Sequence, residues 1–155
     1  MLDQRPSIIL SNAVAGWCVA RTYVDNAAHA IALIATNPNA SGRVYHVADP
    51  NPIPEYELLQ SIGGKAGWKG QIAVVPSDSL PDGFQCDPNW QDIVLDSRRI
   101  RAELGYREIV GRDEALRRTV DWQRENPPEQ YCGVIDYQME DDLLRRNNLE
   151  FFTCS

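Results

Sequence analysis

Residues 21–49 read RTYVDNAAHAIALIATNPNASGRVYHVAD, and this stretch decides the fold. A short β-rich run, Thr22-Tyr23-Val24, meets Asp25-Asn26, either of which can cap a helix through a side-chain oxygen. Residues 27–35 follow as a helical stretch whose single polar residue is His29. Pro38 and Gly42 end it, and residues 43–47 form a second β-rich run. The stretch is therefore expected to be one strand–helix–strand unit. With no polar face beyond His29, the helix is expected to be buried on most sides.

Working outward toward the N-terminus, residues 7–10 (Ser-Ile-Ile-Leu) read as a short strand and residues 12–16 as a loop or turn. Residues 17–24 read as a second strand that leads into the helix. On the other side, Pro50, Pro52 and Pro54 exclude helix before residue 54. Pro54 suits the first turn of a new helix, with Glu55 beside its positive end. That helix carries Tyr56, Leu58, Leu59 and Ile62 on one side and ends near Gly63-Gly64 or at Gly67. Residues 72–75 form a strand closed by Pro76, and residues 77–92 a long irregular region. Residues 93–95 are a short strand. Asp96 or Ser97 then caps a helix with Ile100 and Leu104 on one face, stopped by Gly105. Asp113 opens the next helix, which ends before Pro127-Pro128.

The tail from Glu129 has its own character. Ile135, Met139 and Leu143 stand four apart with Leu144 alongside, acidic residues come first, and Arg145-Arg146 come last. That order suits the helix dipole. Leu149, Phe151 and Phe152 would sit exposed unless something covers them. The expected organisation is a domain at 1–128 followed by an acidic amphipathic tail at 129–155.

Composition sets limits. The net charge of −7 over 155 residues argues against a nucleic-acid partner, which calls for a basic stripe. Residues 129–155 hold six acidic and two basic residues, so the tail carries −4 of the −7. Cys18, Cys86, Cys132 and Cys154 form no CxxC pair, and His29 and His46 are the only imidazoles, so a zinc site is not expected. Asp78, Asp82, Asp87 and Asp92 match no cation loop. The cysteines also lack the setting of a thiol nucleophile. No apolar run reaches the roughly 20 residues of a membrane span, and residues 1–6 do not read as a signal peptide. The expectation is a cytoplasmic chain with reduced thiols and no membrane partner.

At this point the residues resemble a family. RTYVDNAAHAIALIATNPNASGRVYHVADPNPIP resembles the C-terminal part of the extended short-chain dehydrogenases/reductases, the NAD-dependent epimerase/dehydratase group. IVLDSRRIRAELGYRE resembles the family's Asp-x-Ser-Lys/Arg helix and its Leu-Gly-Tyr/Trp connector, and DEALRRTVDWQRENP its final helix. The likeness runs from about residue 5 to residue 128 and leaves the tail without a counterpart. It implies an α/β fold: a partial C-terminal half of short strands with roughly four to five packed helices, plus the helical tail. It also implies NAD(P) as cofactor of a complete member and a small molecule resembling a nucleotide sugar as substrate.

The family's other half has no counterpart here. No Gly-x-Gly-x-x-Gly occurs, and Gly63-Gly64-Lys65-Ala66-Gly67 follows a helix and reads as its terminator. Lys65 and Lys69 are the only lysines, and neither has a tyrosine four residues earlier, so the family's Tyr-x-x-x-Lys pair is absent. Met1 falls about where the C-terminal half of relatives begins, which leads to the expectation of half an enzyme, with no catalytic residue and no cofactor bound by this chain alone.

The resemblance makes Arg21 a substrate contact, since the arginine at this position in relatives holds a diphosphate and a guanidinium can donate two hydrogen bonds to phosphate. The family's second diphosphate arginine is missing from CDPNWQDIVLD, which weighs against a nucleotide sugar. Trp17 and Trp90 are candidate walls of the substrate pocket, with packed aromatics as the plainer reading. His46 reads as a core or edge histidine, His29 as the exposed edge of its helix, and Asp25, Asn26 and Asp96 as helix caps. Three functions stay open: a substrate-binding portion, an oligomerising or protein-interaction module, and one half of a split enzyme completed by a separate Rossmann chain.

Overall fold

The structure is a computed structural model that describes residues 1–3, 5–81, 91–127 and 137–146, and the backbone of residues 151–153. Along the chain run β1 (Ser7–Ser11), α1 (Asn12–Ala15), α2 (Val24–Thr36), α3 (Glu55–Ala66), β2 (Gln71–Val75), α4 (Arg98–Leu104), α5 (Arg112–Glu125), α6 (Tyr137–Arg146) and β3 (Phe151–Thr153). Short 3-10 turns occupy Pro38–Ala40 and Ser77–Ser79. The fold is mixed α/β. Two compact units divide it: Met1–Trp17, Pro54–Gln91 and Leu116–Ser155 form the first, Cys18–Ile53 and Asp92–Ala115 the second.

The first unit is built on a three-stranded sheet in the order β1-β2-β3. β1 pairs in parallel with β2, Ser7 opposite Gln71 and Ser11 opposite Val75. β3 adds antiparallel to the other edge of β2, Thr153 opposite Gln71 and Phe151 opposite Ala73. Apolar β-branched residues fit a strand covered on both faces, and Ile72, Ala73 and Val75 of β2 are all fully buried. α3 starts after Pro54 with Glu55 and Glu57 in its first turn, which complement the helix dipole. Of the two expected ends, the chain takes Gly67, whose φ of 66° is the left-handed cap that glycine adopts without a Cβ clash. Trp68 follows at 3% exposure and joins Ala66, Ile72 and Val120 in a core against which Tyr56, Leu59 and Ile62 pack. Residues 12–16, expected as a loop, begin as the single-turn α1, because the Ser11 hydroxyl accepts from the Val14 amide at 3.2 Å.

In the second unit α2 packs on Ile100, Leu104 and Tyr106. α4 matches the expected helix, with Ile100 and Leu104 buried and Gly105 at φ 67° as its cap. Asp96 does part of the expected capping: its Oδ1 accepts from the Arg98 amide at 2.8 Å, although Ser97 is the N-cap residue. Several sequence expectations fail here. Residues 17–24 are not a strand; Cys18 and Val19 are isolated bridge residues, Val19 paired in parallel with Ile93, and Val24 already belongs to α2. Residues 93–95 likewise supply that one bridge, and residues 43–47 join no sheet. A β-rich run forms a strand only where a neighbour accepts its hydrogen bonds along its length, and among the described residues these runs find isolated bridging at most.

The helix expected to be buried on most sides is not. Asn26 and Ala30 face inward, with Leu33 and Ile34 packed against the core. The opposite face, Val24, Ala28, Ile31 and Ala35, follows the i, i+4, i+7, i+11 spacing of one stripe and is exposed, Val24 at 67% and Ile31 at 65%. Val44, Ile93 and Val94 of the same unit are also more than half exposed.

Candidate functional site

Arg21 enters the second unit just after the Val19–Ile93 bridge. The bridge is fixed by Ile93 N–H donating to Cys18 O at 2.9 Å and Ala20 N–H donating to Ile93 O at 2.6 Å. The Asp92 carboxylate adds a bond from the Cys18 amide at 2.8 Å. Arg21 O then accepts from the Asp49 amide at 2.8 Å, so the backbone of the candidate arginine is tied to the segment that carries Asp49. The Arg21 side chain is exposed, and its Nη1 donates to Val19 O at 3.3 Å.

Around Asp49 lies a set of charges that the sequence did not single out. Arg112 Nε stands 3.6 Å from Asp49, and Arg112 Nη2 donates to Asn51 O. Arg101 grips Glu108 with both terminal nitrogens, Nη1 at 3.0 Å, and its Nη2 reaches Ala48 O at 3.4 Å. The guanidinium also lies over the Tyr106 ring, 5.3 Å from its centre. Ser97 Oγ accepts from Ala48 N–H at 2.9 Å and sits 3.2 Å from Ala48 O. The bond from Arg101 holds the Glu108 carboxyl below its usual range. Burial pushes the Asp49 carboxyl up and Glu108 adds to the rise, while Arg112 and Arg101 pull it back. Burial likewise raises the Tyr106 phenol. A half-buried carboxylate among two guanidiniums can hold an ion network in shape and keep the entrance to α2 in one conformation. No sequence signal marks it, because Arg101 and Glu108 stand on opposite sides of the Gly105 cap and Asp49 lies fifty residues upstream.

Asn26 was expected as a cap, and the structure corrects this. Tyr23 is the N-cap residue and makes no side-chain capping bond. Asn26, 1% exposed, lies in the first turn and binds the 109–110 segment instead. Its Oδ1 accepts from the amides of Ile109 (3.0 Å) and Val110 (2.9 Å), and its Nδ2 donates to Val110 O at 2.8 Å. Asp25 lies in the same first turn, where its charge complements the helix dipole. His46 is exposed, and the half-buried His29 ring lies 5.9 Å from that of Tyr106.

Trp17 belongs to the first unit and Arg21 to the second. Trp17 is half-buried, and its indole N–H donates to Gln91 O at 2.9 Å, so the polar edge of the ring is used within its own unit. Trp90 lies outside the described residues, as do Cys86, Cys132, Cys154, Asp82 and Asp87. Among the described residues no group of three or more His, Cys, Asp or Glu is placed to hold a metal ion, and no helix is long and apolar enough to cross a membrane.

Among the described residues no glycine-rich turn leads from a strand into a helix of more than one turn. A pyrophosphate needs glycine amides between a strand and the start of a helix. The turn from β1 into α1 runs through Ser11-Asn12 without a glycine, and α1 is only four residues long. Gly63 and Gly64 lie inside α3, and a Cβ at Gly63 would meet the Trp68 ring at 3.0 Å, so that glycine serves helix packing. No known protein family and no curated protein matches this chain.

Proposed function

We propose that this chain carries the substrate-binding portion of an oxidoreductase of the NAD-dependent epimerase/dehydratase kind, which a Rossmann-type half completes. The observation that carries the proposal is the outward face of α2. Four apolar residues at helical spacing face solvent, and the stripe contains no charge. A helix of this kind is ordinarily covered. The β-rich runs at 43–47 and 93–95, which join no sheet, are the second sign of a missing neighbour.

In this reading Arg21 is a substrate contact whose guanidinium binds an anionic group. The cofactor and the acid–base pair belong to that half. Titration of the chain with NADH, followed by nicotinamide fluorescence, should show no saturable binding in the micromolar range; saturable micromolar binding would contradict the proposal. A Rossmann half carrying the Gly-rich loop and Tyr-x-x-x-Lys should co-sediment with the chain, and Ile31→Asp should abolish the complex. The same face supports a second reading, a homo-oligomerising module in which another copy covers α2.

A further inference from the structure

A different surface, in the first unit, is guarded from within. β2 is the middle strand of the sheet, and its residues Gln-Ile-Ala-Val-Val include no charge and no proline. An edge of that composition, left open, invites a strand from another chain. The backbone shows which groups face that edge. The Gln71 amide donates to Pro6 O, on the β1 side, at 2.9 Å. Peptide groups alternate in direction along a strand, so Ala73 also faces β1 and Ile72 faces β3. Ile72 stands opposite Phe152 of β3.

The strand that covers this edge comes with an anchor. Arg5 stands as a charged post: its carbonyl accepts from the Trp68 indole N–H at 2.6 Å, and Trp68 is a core residue. Its guanidinium meets Asp141 at 2.5 Å and Glu140 at 3.6 Å, and lies 4.4 Å from the centre of the Tyr137 ring. The Tyr137 hydroxyl donates to Asp3 at 2.8 Å, and Leu143 of the same helix is buried. α6 is therefore held both by an apolar seat and by a cluster of charges around Arg5. Four residues lie between Arg146 and Phe151, so a seated helix keeps β3 at high local concentration beside β2.

We infer that α6 and β3 form an intramolecular strap: Arg5 anchors the helix, the helix delivers the strand, and the strand closes the β2 edge against pairing with other chains. The strap is distinct from the α2 face and stands whether or not the proposed function holds.

Amide hydrogen exchange on the dilute full-length chain, read residue by residue, tests it. Arg5→Glu turns the anchor against Glu140 and Asp141. It should lower the protection of the Ile72 amide at least tenfold and leave that of Ala73, which faces β1, within about twofold. Unchanged protection at Ile72 would overturn the inference, since the strand would then dock without its anchor. Equal losses at Ile72 and Ala73 would also overturn it, because the tail would then open only with the body. Sedimentation tests the closure against other chains. In an Ile31→Asp background, which silences the α2 stripe, Arg5→Glu should add concentration-dependent association. A double variant that sediments like Ile31→Asp alone would overturn that closure. Should Arg5→Glu fail to fold, the unmodified chain decides. Its protection at Ile72 should be at least tenfold below that at Ala73, and equal protection would overturn a strap.

Discussion

At the scale of single residues, the second unit depends on two polar fixtures. Asn26 satisfies three backbone groups of the 109–110 segment from inside α2, and Arg101 with Glu108 straddles the Gly105 cap. The Arg101–Glu108 pair has a pH signature. Glu108 has its carboxyl lowered by Arg101, so the folded chain binds its proton less tightly than the unfolded chain does. The stabilisation is therefore complete above the ordinary glutamate value of about 4.3 and is lost as pH falls through the lowered folded value. Glu108→Gln should destabilise the chain by about 1–3 kcal/mol at pH 7, the range for hydrogen bonds to charged groups. That difference should be smaller at pH 3 than at pH 7. Urea unfolding at both pH values measures it, and an equal loss at both would contradict the assignment.

At the scale of elements, what is encoded locally was legible and what depends on neighbours was not. The starts and stops of α3 and α4 were legible because Pro54, Gly67 and Gly105 act through their own backbones. β1 and β2 were legible because their apolar runs find one another. The runs at 17–24 and 43–47 have the same local character and were misread, since strand formation is decided by a partner. α2 was correctly seen as an apolar helix, yet its inward and outward faces cannot be told apart when both are apolar. In the candidate site Arg21 came from resemblance alone, whereas the charges around Asp49 needed the fold to assemble them. Gly70 is a packing requirement that a sequence does not show. A Cβ there would fall inside contact distance of the Trp68 ring and 2.6 Å from Pro6 O, in the link that leads into β2. Gly70→Ala should cost about 1–3 kcal/mol as an overpacking change. Gly64→Ala, exposed in α3 with open space around its Cβ position, should stabilise by roughly 0.5–1 kcal/mol. Thermal melts of the two variants should shift in opposite directions, and a Gly70→Ala melt like the parent's would contradict the packing described.

At the scale of the whole molecule, the two units carry surfaces of opposite chemistry. The second unit exposes the apolar stripe of α2, which lacks a cover. The first has a charged post and a sheet edge already covered by its own tail. The apolar stripe is the surface on which the functional reading stands. Sedimentation velocity of the chain beside Ile31→Asp, over a hundredfold range of concentration, tests that reading most directly. An uncovered stripe predicts reversible, concentration-dependent association of the parent chain that Ile31→Asp removes while the folded signal is kept. A parent chain that stays monomeric at the highest concentration, and sediments like Ile31→Asp throughout, would contradict the need for a cover on α2.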